Sequence, residues 1–191
     1  MKIRIDGASP LFDTSNMHYR EFPSDYRQIR HITLQVIRSA PRKIREFNLL
    51  EQQISEIIKN GIKHGNKNDP AKKLKIWFIF TRHMARVIVE DEGKGFQDLE
   101  RWNEFNRKRL ECLNNGDFEE LGNYISFRTE KSDHIDGGNA LFAALEYWNG
   151  GFVFNERRNA VAMKKLFPQK EIFEEPPLPG FEPWDIDNLM S

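Results

Sequence analysis

Over residues 1–6 apolar and polar side chains alternate, and this period of two predicts a short strand. Residues 7–21 are rich in Gly, Pro, Ser, Asn and Asp and read as a loop. Ser24 or Asp25 then offers an N-cap for a helix running to about Ala40. Ile29, Ile32, Leu34, Val36 and Ile37 are its apolar set, and Pro41 interrupts it. A second helix is predicted over roughly 44–65, with Leu50, Ile54, Ile57, Ile58 and Gly61 on one stripe. The run Gly65-Asn66-Lys67-Asn68-Asp69-Pro70 ends it.

Leu74–Phe80 and Ala85–Glu90 read as strands joined by the short turn Thr81-Arg82-His83-Met84. From about 97 to 127 the pattern is polar and helical, and 128–137 reads as a loop. A helix follows over Asn139–Trp148, ended by Gly150-Gly151. Phe152–Asn155 and Ala160–Leu166 form a second hairpin around Arg157-Arg158-Asn159. The order is helices, hairpin, polar helical insert, helix, hairpin. It predicts an α+β fold: a two-layer α/β sandwich with a mixed, mostly antiparallel sheet and helices on one face. Strands and helices do not alternate one for one, which argues against a doubly wound parallel sheet.

Composition narrows the function classes. Lys plus Arg equals Asp plus Glu at 29 each, and the formal charge is zero. That balance disfavours bulk electrostatic binding to nucleic acid or to an anionic membrane. Cys112 is the one cysteine, so no disulfide framework can form within the chain, and a buried, unreactive thiol is expected. The N-terminus lacks the apolar stretch of a signal peptide, and the cluster Ile76–Phe80 is too short to span a bilayer. A soluble, cytoplasmic protein is the expectation. Five of the nine prolines fall after residue 167, among acidic and aromatic residues, and 167–191 is expected to be a flexible tail.

Three segments carry candidate chemistry. Glu56, Asn60 and His64 are spaced i, i+4, i+8 and form a polar stripe beside the apolar one. Such a stripe serves as a solvated helix face. Turned towards a pocket, it offers an amide oxygen to Mg²⁺ and a carboxylate that can take a proton. Asp91-Glu92-Gly93-Lys94-Gly95-Phe96 follows a strand. It can be a tight turn, or an acidic acceptor for an exocyclic amine with glycines that let backbone approach a base. Asp136-Gly137-Gly138-Asn139-Ala140-Leu141 leads into a helix and could present backbone N–H groups to phosphates. The five histidines show no metal-ligand spacing, and neither a Walker loop nor a Gly-x-Ser-x-Gly elbow is present.

Together these segments resemble the GHKL superfamily of histidine-kinase-like, Bergerat-fold ATPases, and within it the bacterial anti-sigma-factor serine/threonine kinases. The likeness runs over residues 22–166, from Phe22-Pro23-Ser24 through Glu-x-x-x-Asn and Asp-x-Gly-x-Gly-Phe to the last hairpin. Residues 1–21 would be an extension and about 97–135 an enlarged lid.

The resemblance implies ATP and Mg²⁺ as cofactors. Asn60 would ligate the metal, Asp91 would read the adenine amine, and Gly93, Gly95 and Phe96 would shape its pocket. His64, Gly137, Gly138, Asn139, Ala140 and Leu141 would also border the nucleotide, and Glu56 would be the catalytic base. Implied partners are an anti-anti-sigma, STAS-like protein as substrate, a sigma factor, and a second copy in a homodimer, with no nucleic acid or membrane. The chain departs from the family pattern at Ala140, where glycine is usual, at Ala160, where a threonine is usual, and in the long insert. A catalytically weak or inactive, nucleotide-gated binding module is therefore the alternative to a kinase.

Overall fold

In the computed structural model, residues 3–45, 48–127 and 140–168 are described. Six strands are seen among them: β1 (Arg4–Ile5), β2 (His18–Pro23), β3 (Lys73–Phe80), β4 (Met84–Glu90), β5 (Gly151–Phe154) and β6 (Ala160–Leu166). The helices are α1 (Ile29–Ile37), α2 (Arg42–Arg45), α3 (Asn48–Asn60), α4 (Leu99–Asn115), α5 (Phe118–Leu121) and α6 (Ala140–Tyr147). The strands form one sheet in the order β1-β5-β6-β4-β3-β2. All neighbours run antiparallel except β1, which pairs parallel with β5 through Arg4 opposite Val153. This is the expected α+β sandwich with a mixed, mostly antiparallel sheet.

Alternation along the strands explains the layers. Leu74, Ile76 and Phe78 of β3, Val87 and Val89 of β4, and Val161 and Met163 of β6 are buried on one face. Ile32 and Val36 of α1 and Leu50, Ile54 and Ile58 of α3 close over that face. Leu34 departs from the expected apolar set of α1, because it lies on the outward side and is exposed. On the other face of the sheet, Ile88, Val153 and Ala162 are covered by Leu11, Phe12 and Met17 from the N-terminal segment, with Trp77 alongside. Arg86 holds that segment down by donating to the carbonyls of Pro10, Leu11 and Asp13.

The loop expected over residues 7–21 is only partly a loop. His18–Pro23 is an edge strand paired in register with Lys73–Phe78. His18, Tyr19, Arg20 and Glu21 are exposed and Phe22 alone is buried, so the stretch carries little hydrophobic signal. The N-cap expectation resolves onto Asp25, whose carboxylate accepts from the Arg27 N–H (3.0 Å) and opens a 3₁₀ turn before α1. Ser24 is instead buried as a hydrogen-bond partner of Asn66.

The helix expected over 44–65 is two α-helices and a final π turn. Beyond Asn60 the chain widens over Gly61–Gly65, and Asn66 N–H donates to the Gly61 carbonyl at 2.8 Å. At the far end, Asn103 of α4 clasps Ile3: its amide oxygen accepts from the Ile3 N–H (3.0 Å), and its amide N–H donates to the Ile3 carbonyl (3.2 Å). Cys112 is buried, as expected. Among the described residues no helix is long and apolar enough to cross a membrane. The expected tail lies, from residue 169 on, outside the described residues.

Candidate functional site

A cavity of about 330 Å³ opens between the helix layer and the end of the sheet where β4 and β6 meet their loops. That volume lies at the lower end of the range of about 300–1,000 Å³ for small-molecule sites. Glu56, Ile57 and Asn60 come from α3, and Gly61, His64, Gly65 and Lys67 from its π turn and the loop beyond. Val89 and Asp91 come from the end of β4. The following loop and α4 give Gly95, Phe96, Gln97, Asp98 and Trp102, and α6 gives Ala140 and Leu141. The last hairpin adds Phe154, Arg158, Asn159 and Val161. Segments at 56–67, 89–102, 127, 140–141 and 154–161 thus share one concavity.

Asp91 is held by its neighbours before any ligand is considered. Its carboxylate accepts from the Gly93 N–H at 2.7 Å. Its own N–H donates to the Asn159 carbonyl (2.9 Å), and its carbonyl accepts from the Asn159 side chain. Burial raises the Asp91 carboxyl to about 6. The Gly93 hydrogen bond opposes that rise, Glu90 adds to it, and Lys72 and Arg157 oppose it. A half-buried carboxylate is costly to keep ionised, and such groups concentrate in functional clefts.

The glycines of this loop are required chiefly by the protein itself. A Cβ on Gly93 would stand 2.3 Å from the Gly65 carbonyl oxygen. Gly95 has φ +77°, and a Cβ there would stand 2.0 Å from the Arg157 carbonyl oxygen. Phe96 N–H donates to the Arg158 carbonyl at 2.9 Å. The loop is therefore docked on the hairpin turn through backbone contacts that leave no room for a side chain. Gly95 and Phe96 are in the cavity wall; Gly93 is not.

The polar stripe on α3 also meets the cavity. Both carboxylate oxygens of Glu56 accept from the Lys59 ammonium at 3.0 Å. Asn60, one turn on, has no side-chain hydrogen bond among the described residues, so its amide oxygen is uncommitted. His64 lines the cavity as well, carried there by the π turn. Among the described residues no cluster of three His, Cys, Asp or Glu side chains could hold a metal. One amide oxygen fits a Mg²⁺ that takes its remaining ligands from phosphates and water rather than from a protein cage.

Of the expected site residues, Glu56, Asn60, His64, Asp91, Gly95, Phe96, Ala140 and Leu141 come together here. Gly137, Gly138 and Asn139 lie outside the described residues. Ala160 is buried but absent from the cavity wall, and its neighbours Asn159 and Val161 line it.

Lys67, Trp102, Phe127, Arg158, Asn159 and Val161 were not read from the sequence as site residues. Lys67 and Arg158 carried one usable signal, a cation within a turn-forming run; in the structure both have positive φ (61° and 60°). Trp102 is fully buried against Phe142, ring centroids 5.0 Å apart, and its indole N–H has no partner among the described residues.

No protein-family model matches this chain. Over 55 residues the chain is 33% identical to a protein named Anti-sigma F factor from Anoxybacillus flavithermus (strain DSM 21510 / WK1). The match takes in 29% of this chain and 38% of that protein, so it spans well under half of either.

Proposed function

We propose that the chain is an ATP-binding regulator of the anti-sigma type, which phosphorylates a serine or threonine of an anti-anti-sigma, STAS-like partner and also engages a sigma factor. The observation that carries this reading is the meeting of Asn60, Glu56 and the Asp91 loop in one cavity. The partial likeness to a protein named Anti-sigma F factor supports the regulatory half.

In this reading Asp91 accepts from the exocyclic amine of adenine, and its burial makes that contact selective. Asn60 gives its amide oxygen to Mg²⁺, which when bound neutralises phosphate charge. Glu56 receives the proton of the attacking hydroxyl as the new O–P bond forms and the bond to ADP breaks. Lys59 must then release at least one Glu56 oxygen.

That ion pair is also what favours the second reading, a nucleotide-gated binding module without turnover. Incubation with γ-labelled ATP, Mg²⁺ and candidate STAS-like partners separates the two. The kinase reading expects label on the partner, lost with Glu56→Gln while ATP still binds. ATP binding with no labelled partner leaves the gated module; no ATP binding at all sinks both.

A further inference from the structure

Arg158 has no role in the chemistry above, yet three observations single it out. It sits in the turn of the last hairpin with φ 60°, a conformation that costs a non-glycine residue energy. It lies in the cavity wall. Its guanidinium donates through both terminal nitrogens to Glu100, in the first turn of α4, at 3.1 and 2.5 Å. The Arg158 side chain is 26% exposed and that of Glu100 69%, so the carboxylate stands on the solvent side of the pair. Glu100 is not in the cavity wall.

We propose that Arg158 binds an anionic phosphate of the nucleotide, and that Glu100 is the carboxylate it gives up to do so. The exchange replaces one charge-assisted contact by another of the same kind, so its net cost is small. The backbone of Arg158 is fixed independently, since its carbonyl holds the Phe96 N–H. Only the side chain needs to turn. Because Glu100 belongs to α4, ligand entry also removes one tie between the start of that helix and the hairpin. This inference rests on the nucleotide reading above.

A double-mutant cycle on ATP affinity tests it, with adenosine as the uncharged comparison. Arg158→Gly suits the positive φ, so the variant is expected to melt no lower than the parent. It should weaken ATP binding about tenfold and leave adenosine binding unchanged. Glu100→Gln should tighten ATP binding about threefold in the parent and have no effect when Arg158 is Gly.

An equal effect of Glu100→Gln in both backgrounds overturns the exchange. Unchanged ATP affinity in Arg158→Gly, or an equal loss for adenosine, overturns the phosphate contact. Failure of the parent itself to bind ATP removes the nucleotide reading as well and is distinct from both.

Discussion

Gly65 lies against Asp91 so closely that a Cβ on Gly65 would stand 2.2 Å from the Asp91 carboxyl carbon and 2.4–2.5 Å from its oxygens. The π turn after α3 and the loop after β4 are thus fitted to each other at the acidic group of the cavity. Gly65→Ala should cost about 2–3 kcal/mol in urea denaturation. Most of that loss should vanish when Asp91 is also shortened to Gly; additive costs would show that the two are not in tight contact.

Asp91 should betray its burial in the pH dependence of stability. Its carboxyl is raised to about 6 from 3.8, so the fold binds the proton more tightly than the unfolded chain does. The stability contributed by the neutral form is fully present below about 4 and is lost as pH rises through about 6. Asp91→Asn keeps an acceptor for the Gly93 N–H and removes the half-buried charge. It should be the more stable protein at pH 7.5, by roughly 1–2 kcal/mol after allowing for residual solvent screening. The gap should close towards pH 4, and on the proposed nucleotide reading ATP affinity should fall at every pH. Thermal unfolding across that range, paired with calorimetric titration, checks both halves.

Asn66 is the polar hub behind the site. It is fully buried; its amide N–H groups donate to Ser24 Oγ (2.7 Å) and the Lys73 carbonyl (2.9 Å), and its oxygen accepts from the Glu92 N–H (2.7 Å). Asn66→Ala leaves these partners unsatisfied and should cost about 2–4 kcal/mol. Hydrogen exchange at Glu92 and Gly93 should speed up more than exchange in β6. Uniform acceleration would make Asn66 an ordinary core residue.

Two glycines with similar backbone angles should respond differently to alanine. Gly95 (φ 77°) would drive a Cβ into the Arg157 carbonyl, whereas at Gly116 (φ 70°) nothing lies within 4 Å. Gly116→Ala carries only conformational strain, about 1 kcal/mol, and Gly95→Ala should cost at least twice that. Equal denaturation midpoints for the two variants would count against the docking of the Asp91 loop on the hairpin turn.

What the sequence showed, and what it hid, has a physical pattern. Leu50, Ile54 and Ile58 are spaced for a helix, and Ile76 and Phe78 alternate for a strand; burial enforced both signals, and both elements are present. β2 was hidden because an edge strand with one face in water needs no apolar alternation, and Phe22 is its one buried residue. Glu56, Asn60 and Asp91 were picked out by short spacings, and all three line the cavity. Trp102 and Arg158 were not, because they reach the cavity from elements far apart in the chain. Asn66 looked like a helix terminator, which it is, but its side-chain network joins segments 42 residues before and 26 after it.

The parallel pairing of β1 with β5 imposes an order on assembly. Residues 4 and 5 are made long before Val153 and Phe154, which they pair with. Contacts so distant along the chain close late, after local helices and hairpins have formed. Meanwhile Ile3, 1% exposed in the folded protein, has no burial site until α4 offers the clasp of Asn103. β1 thus waits for partners made far behind it, and the helix that receives its neighbour Ile3 also walls the cavity.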